Sequence, residues 1–135
     1  MLKEISYEQL LQEIETIINN TSEGIKLSKE DFDFLASKPN TKLLFGNAKV
    51  QGKDATLNAI YQLINSDPKI GQSQSCILHF TIYPKYKMSN ITEAMDIIHE
   101  TLPNDANIIF GTSCDERLEK DYIAIDCFFA KNISF

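Results

Sequence analysis

The chain has 135 residues and a net charge of −6 at pH 7, with 43% hydrophobic and 24% charged residues. These values are ordinary for a folded protein, and the length suits one domain with its own core. The acidic balance argues against nucleic acid as a partner, because binding to phosphates requires a basic surface.

The cysteines and the N-terminus indicate the cellular compartment. Cys76, Cys114 and Cys127 are odd in number and form no CxxC pair, so neither a disulfide framework nor a thiolate zinc site is predicted. Cysteines within apolar runs are typical of a reducing compartment. The first ten residues lack a signal-peptide pattern, and no apolar run approaches the roughly 18 residues of a membrane span. We therefore expect a cytoplasmic protein without a membrane partner, a metal or a cofactor.

Two helices are predicted in the first third of the chain. Residues 6–20 place apolar side chains at spacings of three and four, with Ser6 as the N-cap and Gln9 as its capping-box partner. A shorter helix follows Ser28, which has Asp31 three residues later as the same kind of partner. The apolar side of each helix must be buried, and we expect it to pack against a sheet.

The middle of the chain alternates between strands and helices. Apolar and β-branched runs predict strands over 41–50 and 75–83, and stripes with helical spacing predict helices over 54–65 and 88–102. The N-cap candidates of these two helices are Asp54 for the first and Ser89 or Asn90 for the second.

The last quarter of the chain predicts two further strands. Residues 108–110 form a continuous apolar run, which is typical of a strand buried on both faces. Gly111 ends that run, an acidic connection follows, and residues 122–130 are again apolar except for Asp126. Two such strands with a connection of this length predict an antiparallel hairpin.

The order of these elements predicts a single α/β (α+β) domain. Strand–helix–strand units favour parallel strands, and the closing hairpin is antiparallel. We expect a two-layer domain whose mixed four-stranded sheet has the order βαβαββ and is preceded by an N-terminal helix. Residues 1–25 would carry that helix, and residues 26–135 would form the sheet domain.

Three segments resemble the C-terminal domain of FtsZ, the bacterial tubulin relative. Residues 105–118 (DANIIFGTSCDERL) are similar to the family pattern D-A-N-I-I-F-G-x-x-x-D-E-x-L. Residues 43–55 align with A-L-M-G-x-G-x-A-x-G-E-N-R, although Ala48 replaces the middle glycine. Residues 7–19 resemble the end of the helix that links the two FtsZ domains. The resemblance covers nearly the whole chain and implies the fold of that domain.

The nucleotide-binding half of FtsZ has no counterpart in this sequence. That half carries a G-G-G-T-G-[ST]-G loop, whereas the five glycines of this chain are spread singly. The chain also stops soon after its last predicted strand, without an FtsZ-type tail. We expect a stand-alone FtsZ-like protein that does not bind GTP by itself.

The resemblance also implies a synergy loop, which in FtsZ completes the GTP site of the next subunit. The family pattern Asn-x-Asp-x-x-Asp aligns with residues 26–31, where carboxylates would polarise the attacking water. Lys26 replaces the asparagine, Ser28 replaces the first aspartate, and Asp31 keeps the last acid. We predict a degenerate loop without catalytic residues.

The remaining polar candidates have ordinary interpretations. The sequence places no serine, cysteine or carboxylate beside His79, so we interpret it as structural or surface-exposed rather than as a general base. The acidic residues of the 115–121 connection fit no calcium-binding spacing and are interpreted as a solvated connection.

The preferred function is a non-catalytic interaction module that binds FtsZ or another copy of itself and modulates cell division. One alternative is a fragment or divergent relative of a polymerising FtsZ, in which Asp31 contributes to GTP hydrolysis in trans. A second alternative is a small enzyme that resembles the chorismate-mutase-like folds. Arg117, the only arginine in the chain, weighs against the second alternative, because a dicarboxylate site needs several.

Overall fold

The computed structural model describes residues 2–20, 24–36, 41–67 and 70–132. Within these residues the chain forms five strands, four α-helices and a short 3₁₀ turn at Ile70–Gln72. The strands are β1 (Lys3–Ile5), β2 (Thr41–Gln51), β3 (Ser73–Ile82), β4 (Asn107–Cys114) and β5 (Tyr122–Asn132). The helices are α1 (Tyr7–Asn20), α2 (Lys29–Ala36), α3 (Ala55–Asn65) and α4 (Met88–Thr101). No helix in the described ranges is long and apolar enough to cross a membrane.

The strands form one mixed sheet in the order β1-β2-β5-β3-β4. Only β3 and β4 are parallel, and the other neighbours pair in an antiparallel manner. The α/β class and mixed sheet predicted from the sequence are confirmed. The sheet has five strands rather than four, because Lys3–Ile5 adds to the edge of β2 beside Leu43 to Phe45. Three residues are too few to show an alternating pattern in the sequence.

The predicted hairpin of the last two strands is wrong. β4 pairs with β3 alone at the edge of the sheet, whereas β5 lies between β2 and β3. The reason is burial: residues 123–130 of β5 are buried on both faces except Ala124 and Asp126, whereas residues 108–110 of β4 are only half-buried. A central position covers both faces of the more apolar strand, so the 115–121 connection crosses from the edge of the sheet to its centre.

Helices cover both faces of the sheet, so the domain has three layers rather than the two expected. On the face toward α3 and α4, a core is formed by apolar residues of both helices and of the strands, among them Ile60, Leu63, Leu78, Phe80, Ile91, Ile98, Ile125 and Phe129. On the face toward α1 and α2, a second core contains Ile5, Leu10, Ile14, Ile17, Leu27, Phe32, Leu35, Leu43, Phe45, Ile77, Phe128 and Ala130. We call these the α3/α4 face and the α1/α2 face.

The first two helices begin as the sequence predicts. The Ser6 N–H donates to Gln9 Oε1 at 2.9 Å, and the Gln9 N–H donates to Ser6 Oγ at 3.1 Å. At the start of α2, the Ser28 N–H donates to Asp31 Oδ2 at 2.8 Å. Each pairing satisfies donors that the helix itself leaves unpaired.

The N-cap position predicted for the third helix is confirmed, and the one predicted for the fourth is wrong. Asp54 is the N-cap residue of α3, but it has a left-handed conformation, with φ of 58°, and its side chain makes no capping bond. It belongs to the tight turn that leaves β2, where Gly52 also has positive φ. Helix α4 begins at Met88, so Lys87 is its N-cap and the predicted caps Ser89 and Asn90 lie inside the first turn.

Candidate functional site

The segment that resembles the synergy loop runs along the open edge of β4. The Thr112 N–H donates to the Ile25 carbonyl at 2.7 Å, and the Ile25 N–H donates to Thr112 Oγ1 at 2.8 Å. Leu27 inserts into the core of the α1/α2 face. The segment therefore satisfies backbone groups of an edge strand and is anchored at both of its described ends, by Ile25 and by the cap at Ser28.

Two glycines permit this close approach. Gly24 has φ of 116°, and a Cβ added there would lie 2.5 Å from Thr112 Oγ1. A Cβ on Gly111 would lie 2.5 Å from Leu27 Cγ and 2.8 Å from the Ile25 carbonyl oxygen. All three distances are shorter than an ordinary van der Waals contact, so a side chain at either position would displace the segment.

The three synergy-loop positions named from the sequence have different surroundings. Lys26 and Ser28 are exposed, and Asp31 is half-buried. Asp31 Oδ2 accepts the Ser28 N–H, so this carboxylate is engaged at the start of α2. Exposed Lys29 adds a second positive charge to this surface. The structure thus brings Ser28 and Asp31 together as a helix cap and leaves the lysines facing solvent.

A second group of polar side chains lies in the centre of the sheet, on the α1/α2 face. His79 of β3 is the direct antiparallel partner of Asp126 of β5. On the other side of β3, the parallel partner of His79 is Gly111, and Ser113 lies two residues further along β4. Because side chains alternate along a strand, His79, Asp126 and Ser113 share one face.

In this group the histidine lies between the serine and the aspartate, with one ring nitrogen near each. His79 Nε2 lies 2.8 Å from Ser113 Oγ, which is a hydrogen bond. His79 Nδ1 lies 3.9 Å from Asp126 Oδ2, which is ion-pair range. His79 is 4% exposed and Ser113 is 6% exposed, and Nδ1 has no hydrogen-bond partner within the described part of the chain. A buried polar atom without a partner is unusual in a folded protein.

The group opens into a cavity of about 700 Å³. Its lining includes His79, Ser113 and Asp126, the end of α1 at Thr16 and Ile17, and the residues that follow β4. At the rim, Arg117 donates from Nε and Nη2 to the Asp115 carboxylate, each at 3.0 Å. These hydrogen bonds lower the pKa of Asp115 and raise the pKa of Arg117.

The interpretation that His79 has no nucleophile or carboxylate beside it is therefore wrong. His79 lies 34 residues before Ser113 and 47 residues before Asp126 in the chain, and the order of the strands brings the three together. The hairpin that we expected would have paired β5 with β4 and would have left His79 without Asp126. The sequence shows which side chains of a strand share a face, but it does not show the order of the strands in the sheet.

The comparisons with known proteins identify the fold. The chain is 33% identical to cell division protein FtsZ 2 of Thermococcus kodakarensis over 67 residues, which are 50% of this chain and 16% of that protein. It superposes on an empty FtsZ dimer structure of M. jannaschii with a TM-score of 0.66 and 16% identity, covering 93% of this chain and 40% of that chain. The chain has the FtsZ/tubulin fold. No protein-family model matches it.

A filament-forming relative gives the same result. The helical model of the TubZ-Bt four-stranded filament superposes with a TM-score of 0.68 and 13% identity, covering 94% of this chain and 33% of that chain. The chain thus spans 40% of the FtsZ structure and 33% of the TubZ structure, and the matched region is 16% of FtsZ 2. These similarities establish the fold of this chain, and they do not establish that it has the activity of the full-length proteins.

Proposed function

We propose that this chain is an interaction module with the fold of the FtsZ C-terminal domain, non-catalytic toward GTP, and that it binds an FtsZ-type subunit or a second copy of itself. The observation that carries the proposal is the 24–31 segment. In the FtsZ resemblance this segment faces the nucleotide site of the next subunit, and here it is anchored on β4 while Lys26, Ser28 and Lys29 remain exposed.

The charges of the segment support binding without catalysis. Lys26 stands where the family pattern has asparagine, and Lys29 stands at a position that the pattern leaves open. Both lysines attract phosphate groups and repel the metal ion that accompanies them. Asp31 accepts a helix-capping hydrogen bond, and a carboxylate so engaged is less available to orient water. We therefore expect the segment to dock at a nucleotide-containing surface and not to accelerate hydrolysis there.

The assemblies of the similar structures support association as the mode of action. One is an FtsZ dimer and the other is a filament of TubZ. A module that carries one of the two surfaces of a head-to-tail contact would bind at one end of such an assembly.

Co-sedimentation with FtsZ from the same source tests the proposal. We expect the purified chain to pellet with filaments assembled in GTP and to leave their rate of GTP hydrolysis unchanged or lower. Lys26→Glu/Lys29→Glu reverses the charge of the segment and should abolish pelleting. Lys49→Glu/Lys53→Glu is the matched control, since it makes the same charge change at exposed positions on β2 and the turn after it.

Self-association is measured separately by light scattering. A chain that is monomeric, does not pellet with FtsZ and does not alter its GTP hydrolysis would rule out the interaction module. We also expect no heat of GTP binding by calorimetry, and binding at micromolar concentration would contradict this.

The trans-activation alternative gives the opposite result in the same assay. If Asp31 acts on the next subunit, adding the chain accelerates GTP hydrolysis by FtsZ, and Asp31→Asn removes that acceleration. Asparagine keeps an oxygen that can accept the Ser28 N–H, so this variant changes the charge while preserving the cap.

A further inference from the structure

We propose that Ser113, His79 and Asp126 form an acyl-transfer site that hydrolyses small uncharged carboxylic esters in the cavity beside α1. This site is independent of the docking surface proposed above, because the 24–31 segment contacts the outer edge of β4 and the cavity opens on the α1/α2 face. The proposal rests on the hydrogen bond between Ser113 and His79, the position of Asp126 and the cavity that joins them.

Ser113 has the arrangement required of a nucleophile. Its hydroxyl lies 2.8 Å from His79 Nε2, within the range in which an imidazole accepts a hydroxyl proton. Ser113 also lines the cavity, so a bound carbonyl carbon can approach Oγ from that side. A serine hydroxyl is a weak nucleophile until an adjacent base removes its proton, and this base is already in place.

Asp126 has the arrangement of a positioning residue. It faces the other ring nitrogen, Nδ1, which has no hydrogen-bond partner in the described part of the chain. The separation of 3.9 Å closes to a hydrogen bond with a small rotation of a side chain that is 32% exposed. Catalytic hydrogen bonds are often long before substrate binds. The bond would fix the tautomer in which Nε2 is the acceptor.

The proton and the bonds balance through a covalent intermediate. Ser113 Oγ attacks the ester carbonyl carbon while its proton passes to His79 Nε2. The carbon–oxygen bond to the alcohol then breaks, and His79 returns the proton to the leaving oxygen. Water attacks the acyl-serine by the same route, which releases the carboxylic acid and restores Ser113. No redox step and no cofactor is involved.

The cavity selects the class of ester. Among the described residues that line it, Asp115, Glu116 and Asp126 are acidic and Arg117 is basic. This acidic balance disfavours anionic esters. The volume of about 700 Å³ admits a small molecule rather than a polymer.

A fluorophosphonate probe tests the nucleophile directly. We expect intact-mass spectrometry to show one adduct on the wild-type chain, with the modified peptide containing Ser113. Ser113→Ala and His79→Gln should each reduce labelling about 100-fold or more. Ser75→Ala is the matched control, since Ser75 is also buried in a strand but does not line the cavity, and its labelling should equal that of the wild type. No adduct, or an adduct on any other residue, overturns the proposal.

Hydrolysis of p-nitrophenyl acetate tests the role of Asp126. Asp126→Asn should lower kcat at least tenfold with little change in KM, and it should alter the dependence of kcat on pH, whereas a merely structural residue would lower both stability and labelling together. Urea unfolding of each variant confirms that it is folded. A wild-type chain that labels at Ser113 but is unaffected by Asp126→Asn removes Asp126 from the site. The same variants should still pellet with FtsZ if the docking surface is separate.

Discussion

Alternate residues of β3 show how different the two faces of one sheet can be. Toward α3 and α4, Cys76, Leu78, Phe80 and Ile82 are all buried in one continuous apolar core. Burial on this face therefore continues from one end of the strand to the other. That face has the uniform packing of a structural core.

Toward α1 and α2, the same strand changes character half-way. Ile77 belongs to the apolar core of that face, but His79 and Thr81 line the cavity instead. The end of α1 borders this cavity at Thr16 and Ile17. The cavity therefore lies where the α1/α2 face stops being a core. Four measurements test this difference between the two faces and the edge of the sheet.

Adjacent residues on β3 should differ most in their effect on stability. Phe80→Ala removes a side chain that is 0% exposed and stacks edge-on against Phe110, so we expect a loss of about 3–5 kcal/mol in the free energy of unfolding. Thr81→Ala, on the other face, should cost less than about 1 kcal/mol. Urea denaturation measures both. Equal losses would mean that the two faces are packed alike.

The three cysteines differ in burial, and their reactivity should show the difference between the α3/α4 core and the cavity. Burial raises the pKa of Cys76 and of Cys127, both in the core of the α3/α4 face, so these thiols stay protonated and inaccessible at pH 8. Cys114 packs against the edge of the same core, but it is only half-buried and it also lines the cavity. We expect a disulfide reagent to modify Cys114 first and the other two about 10³-fold more slowly, at the rate of unfolding events. Fast modification of all three would contradict the burial of that core.

Substitutions at two glycines distinguish the effect of backbone strain from the effect of a steric contact with β4. Gly24→Ala introduces a side chain at φ of 116° and drives it against Thr112, whereas Gly52→Ala meets a similar φ of 112° with nothing within 4 Å. Each should cost about 1–3 kcal/mol in strain, and Gly24→Ala should cost more because it also detaches the segment from β4. Thermal unfolding compares them. A smaller loss at Gly24 would show that the segment is loosely held.

The smallest effect on stability should come from replacing the polar pair His79 and Ser113 by apolar residues. His79→Leu/Ser113→Ala removes an unpartnered buried nitrogen together with its hydrogen-bonded neighbour. Replacing both members of a buried polar pair is nearly neutral, so we expect stability to change by about 1 kcal/mol or less, in either direction. Urea denaturation again measures the change. A loss above about 3 kcal/mol would indicate that this pair is needed for folding rather than for chemistry.

Local signals were readable from the sequence because they depend on neighbours a few residues apart. The apolar spacing of residues 6–20, the capping boxes at Ser6 and Ser28 and the alternation of β3 all appear in the structure. Asp54 is the N-cap residue of α3, but the left-handed turn there leaves its side chain without a capping bond, and Ser89 is not a cap because α4 begins earlier. The resemblance of residues 105–118 also led to the FtsZ/tubulin fold, which the comparisons support.

The sequence by itself thus determined the class, the helices and the faces of the strands, since periodicity in a chain fixes which side chains share a side. Only the tertiary structure decided which strands are neighbours. The apolar burial of β5 placed it in the centre, and this put Asp126 opposite His79 and left β4 at the edge, within reach of Ser113 on one face and of Ile25 along its side. Strand order depends on the summed burial of the whole sheet, which no short stretch of sequence contains.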